Sequence, residues 1–92
     1  MKTVKTVDWG KCKGSGAIGT LDPSPKITKG MRVSGRYGNS DVYMDITDDT
    51  KGDNFLAVVE CFEPVNIDPP KDLAVGDIVE INRENICWVF ID

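Results

Sequence analysis

Two aromatic residues and four cations carry the first candidate chemistry: Trp9, Lys11, Lys13, Arg32, Arg36 and Tyr43. Rings beside positive charges suit single-stranded nucleic acid, because bases stack on the rings and phosphates meet the cations. A second set is acidic. Asp48, Asp49 and Asp53 lie in one short stretch and could present a negative loop to a partner. Catalysis is less well supplied. The 92-residue chain has no His, which removes Ser-His-Asp and Cys-His catalysis, His-ligated zinc and a His switch. No nucleophile and base stand out together, so no catalytic residue is assigned and the chain reads as a non-enzyme.

Three further motifs are weighed against plainer readings. Gly14-Ser15-Gly16-Ala17-Ile18-Gly19 has the letters of the dinucleotide fingerprint, whose last glycine must open a helix. Thr20-Leu21-Asp22-Pro23-Ser24-Pro25 follows instead, and two prolines so close bar a helix. A glycine-rich bend fits better, and Lys11 and Lys13 beside it keep an anion-binding loop in view. The aspartates do not fit a calcium loop: with Gly52 as the invariant glycine, Lys51 and Val58 fall on ligand positions. The cysteines Cys12, Cys61 and Cys87 are odd in number and lack C-x-x-C spacing. They read as three reduced thiols in a reducing compartment, Cys61 and Cys87 as small core residues. Cys12, between Lys11 and Lys13, could have a lowered thiol pKa but has no base beside it. No metal or cofactor is expected.

The net charge of -4 conceals an asymmetry. Residues 1–36 carry about +6 and residues 37–92 about -10. Either the two parts neutralise each other in the fold, or they form faces for partners. No apolar run is long enough to span a bilayer, and no apolar segment follows the N-terminal lysines. A cytoplasmic protein without membrane contact is expected.

The elements that must position these residues are strands. Residues 2–9 and 31–37 read as strands, the second ended by Gly38-Asn39-Ser40. In Asp41–Thr47, Val42, Met44 and Ile46 share one face and Tyr43, Asp45 and Thr47 the other. Phe55–Phe62 is apolar on both faces, as in a strand covered on two sides or curled into a barrel. A hairpin loop over 48–54 joins these two. Leu73 and Val75 should anchor a turn in which Gly76 takes the tight backbone and Asp77 accepts amide hydrogen bonds. Ile78–Ile81 and Ile86–Ile91 are strands separated by a turn at 82–85. The last is apolar on both faces, so it should be central, covered or paired across a dimer. A monomer in which it closes the barrel is preferred. Nine Gly and five Pro between short strands give an all-β reading. One domain over 1–92 is expected, a five- to seven-stranded antiparallel barrel, OB-like or SH3-like, with little or no helix.

The order of three segments resembles an OB-type barrel of the cold-shock kind. Trp9 precedes Lys13-Gly14-Ser15-Gly16-Ala17-Ile18; Asp41-Val42-Tyr43-Met44-Asp45-Ile46 is similar to the family's second motif, and Leu73 to Val79 to its third turn. The resemblance touches about 20 residues. It implies an OB-like barrel. Where the family stacks bases on aromatics, this chain has Ser15, Ala17 and Ile46, and Asp45 stands in place of a His. The expected function is therefore a small binding module acting on another protein, as an inhibitor or adaptor. Single-stranded nucleic-acid binding is the alternative.

Overall fold

Alternation of apolar and polar side chains organises this chain, because a strand sends successive residues to opposite faces. The computed structural model describes residues 3–10, 12, 26–63, 70 and 72–90. Among these residues six strands form: β1 Val4–Thr6, β2 Arg32–Tyr37, β3 Ser40–Lys51, β4 Asn54–Glu63, β5 Ile78–Asn82 and β6 Ile86–Phe90. A 3-10 turn, Arg83–Asn85, joins β5 to β6, and Asn82 caps it by accepting from Glu84 N at 2.9 Å. No α-helix occurs among the described residues.

The strands make one sheet, ordered β1-β5-β4-β3-β2-β6. β2 to β5 pair consecutively and antiparallel through two tight hairpins, and β6 returns to pair antiparallel with β2. Gly38 (φ 59°) and Gly52 (φ 69°) stand first in the two-residue turns, where a positive φ lets the strands reverse without splaying. The second hairpin is longer than the sequence suggests. Its strands run through Asp48 to Lys51, so the expected seven-residue loop shrinks to Gly52-Asp53.

Two expectations need correction. The sheet is mixed, because β1 lies parallel to β5. It also does not close into a barrel, since β1 and β6 are its edges. The reason lies in the short β1. After three residues the chain leaves β5 and reaches β2 only at Gly10, through one bridge to Arg36. Single hydrogen bonds span the gap in place of a ladder. Trp9 Nε1 donates to Glu80 O of β5 at 2.9 Å, and Gly10 N donates to Arg36 O of β2 at 2.7 Å.

The core lies on the inner face. Val33, Val42, Met44, Ile46, Phe55, Ala57, Val59, Val79, Ile81 and Ile86 are buried there, with Ile27 and Leu73 from the connections. Val42, Met44 and Ile46 keep the face their spacing assigns. The turn before β5 follows its sequence logic in part. Gly76 has φ 93° and Asp77 Oδ2 accepts from Ala74 N at 2.8 Å, but only Leu73 anchors it, since Val75 is 61 % exposed.

The cysteines differ from expectation. Cys12 and Cys87 form a disulfide, with their Cα atoms 5.3 Å apart, and Cys61 alone stays free. They meet because Gly10 is bonded to β2 while β6 runs along the same strand. The inference of a reducing compartment loses its premise. No helix among the described residues is long and apolar enough to cross a membrane.

Candidate functional site

The outer face of β6, β2, β3 and β4 is built by their register. Trp88 pairs with Ser34, Ser34 with Tyr43, and Tyr43 with Cys61. A second row runs Phe90, Arg32, Asp45 and Val58, and a third Arg36, Asp41 and Glu63. Paired residues point to the same side of a sheet, so each row lies across one face.

A local irregularity decides what β6 contributes. In an unbroken strand Ile86 and Trp88 would share a face. Here the register steps between Ser34 and Gly35, so that Gly35 pairs with Ile86 and Cys87 is the extra residue. Such a bulge re-aims the side chains around it. Ile86 goes into the core, whereas Trp88 is 61 % and Phe90 38 % exposed on the outer face. Of the expected places for this strand, central, covered or paired across a dimer, the central one is excluded: β6 is an edge and among the described residues it pairs only with β2. Phe90 packs against Tyr43 with ring centroids 5.5 Å apart and planes at 50°. Both rings line a groove of ≈ 670 Å³ that Met31, Arg32, Asp45, Cys61 and Glu63 complete.

The candidate residues named from sequence do not assemble as one site. Trp9 leaves the set. It packs beneath β2 over Gly35, lies edge-on to Tyr37 at 6.3 Å and joins the margin of the core. Gly35 and Ser34 alternate, so Trp9 and Tyr43 sit on opposite faces. Arg32 and Arg36 share the outer face with Tyr43, but both are paired. Arg32 Nε meets Asp45 Oδ1 at 3.0 Å, and Arg36 Nη1 meets Asp41 Oδ1 at 3.0 Å. Lys5, from the same basic third, meets Asp77 at 2.7 Å. The charge asymmetry is thus partly neutralised within the fold. Lys11 and Lys13, and with them the glycine-rich segment 14–19, lie outside the described residues.

The acidic loop is largely occupied by local bonds. Asp48 Oδ1 accepts from Thr50 N and Oγ1 at 2.8 and 2.6 Å, and these bonds hold its carboxyl below the usual range. Asp49 accepts from Lys29 N at 2.9 Å. Asp53 meets Arg83 at 3.4 Å with most of its side chain exposed.

Sequence reasoning missed Trp88 and Phe90, and it missed the two ion pairs. The pairs had a signal. A two-residue turn at Gly38-Asn39 fixes the register of its hairpin, which puts Arg36 opposite Asp41 and Arg32 opposite Asp45. For Trp88 the sequence shows only an apolar strand with no preferred face.

Among the described residues no group of three or more His, Cys, Asp and Glu side chains could hold a metal ion. Comparisons with family models, curated proteins and solved structures return no match to this chain.

Proposed function

We propose that the protein is a small non-catalytic module that binds another protein, as an adaptor or inhibitor, through the outer face of β6, β2 and β3. The observation that carries this reading is the exposed Trp88 on an edge strand, beside Phe90, Tyr43 and Arg32. Trp, Tyr and Arg dominate the energetics of protein interfaces, and a rigid ring held by a strand loses little entropy on binding. Of the two fold types considered, the strand order of this open sheet favours the SH3-like one. Strands β2 to β5 form a meander, and β6 returns to β2 after a 3-10 turn. An OB barrel is a Greek key.

Single-stranded nucleic acid ranks below protein because Arg32 and Arg36 are already paired with aspartates, and the sequence pI is ≈ 4.7. The test is capture from an extract of the native host on the immobilised full chain. A protein retained by the wild type and lost by Trp88→Ala, but not by Glu84→Ala, supports the reading. An identical retained set on all three chains, or nuclease-sensitive nucleic acid in place of protein, overturns it.

A further inference from the structure

The groove lined by Tyr43 and Phe90 has a chemistry of its own. Two rings form a tilted corner, and tilted rings present negative π faces. The carboxylates near it outnumber the cations. Arg32 is neutralised by Asp45 at 3.0 Å, and Arg36, one row away, by Asp41. Glu63 remains: it lines the groove, is exposed, and forms no ion pair among the described residues. Its strand position is diagonal to Tyr43, through the pairs Asp41–Glu63 and Tyr43–Cys61. The Tyr43 hydroxyl senses this surrounding, its pKa raised first by burial and then by the charges of Asp41 and Glu63. An aromatic corner beside a carboxylate that has no ion pair among the described residues is complementary to a cation on an apolar stem. The ring faces attract the charge, the thioether of Met31 and the rings pack the stem, and the carboxylate completes the contact.

We infer that this groove takes a lysine or arginine side chain from the protein partner, held against Tyr43 and Phe90 with its charge at Glu63. The inference rests on the protein-binding reading above and names the partner's chemistry as a basic segment. Charge complementarity of this kind speeds encounter and excludes acidic partners.

The probe is an acetyl-capped pentapeptide with two lysines, titrated into the 15N-labelled full chain at low salt. The controls are the same peptide with both lysines acetylated and its glutamate counterpart. Saturable shifts at Tyr43, Glu63 and Phe90 are expected with the lysine peptide alone. Glu63→Gln and Phe90→Ala should each weaken binding about five-fold, a change of about 1 kcal/mol. Both side chains are exposed, and unchanged spectra elsewhere show that the variants are folded. Equal shifts with the acetylated peptide, or lysine-dependent shifts confined to Asp48, Asp49 and Asp53, would overturn the inference. Its failure is separable from that of the wider reading. A protein captured through Trp88 while the lysine peptide leaves the groove unmoved sinks only the cation site. Lysine binding in the groove without Trp88-dependent capture upholds the cation site and sinks the module.

Discussion

The two tryptophans stand on opposite faces of one sheet and do opposite work. Trp9 lies under β2, where its indole N–H donates to Glu80 O and its ring fills the space left by Gly35. Trp88 stands on the outer face of the last strand, 61 % exposed. The first ring bonds β5 and packs beneath β2, whose gap no ladder closes. The second has no such structural task. The contrast teaches that an aromatic residue's chemistry is set by its neighbours: a glycine opposite it makes a socket, whereas a bulge beside it makes a display.

The disulfide connects these two regions, so removing it should disturb the comparison most. Cys12 and Cys87 are 75 residues apart, and closing a loop of that length removes unfolded-state entropy worth about 4 kcal/mol. Reduction, or the double substitution Cys12→Ser and Cys87→Ser, should lower stability in urea by an amount of that order. An unchanged midpoint would mean that the bond is not formed in solution.

Next in size is Trp9→Ala. It removes a half-buried ring and its hydrogen bond, and should cost about 3 kcal/mol. Trp88→Ala should cost less than about 0.5 kcal/mol. Chemical denaturation of both variants gives the ratio, and equal costs would erase the contrast. The socket itself can be probed at Gly35. A Cβ there would lie 2.9 Å from Ile81 Cδ1 and 3.2 Å from the Trp9 ring, so Gly35→Ala should cost about 1–3 kcal/mol. In the Trp9→Ala background the share of that penalty due to the ring should vanish, while the closer contact with Ile81 Cδ1 remains, so the two costs should not add.

The smallest effect is a titration. Hydrogen bonds from Thr50 favour the ionised form of Asp48, so its folded-state pKa lies below the unfolded one. This stabilisation is present above the unfolded pKa, near 3.8, and is lost as pH falls through the folded value. Thr50→Val should raise the pKa of Asp48 by carboxyl NMR, and an unmoved titration would contradict the assignment.

Much of the strand plan was legible because each strand carries its own signal. Val42, Met44 and Ile46 repeat every second residue, and their hairpin turns contain glycine where a positive φ is needed. What was not legible depends on partners distant in sequence. Arg32 meets Phe90, and Cys12 meets Cys87, only after β6 has returned to β2. The parallel entry of β1 beside β5 is equally non-local. The site suffered most from this. Tyr43 and Arg32 could be placed on a common face by alternation and register, but Trp9 could not be assigned to the far side without knowing that Gly35 faces it. Trp88 was hidden by the bulge at Cys87, which breaks the alternation on which any assignment of faces depends.

The direct test of this division is solute quenching of two single-tryptophan chains. Trp9→Phe leaves only Trp88, and Trp88→Phe leaves only Trp9. Neutral acrylamide should quench the first chain strongly at neutral pH, and the second weakly, with both becoming equally quenchable in denaturant. If Trp88 is as protected as Trp9 in the folded chain, no aromatic surface is displayed on β6 and the account fails.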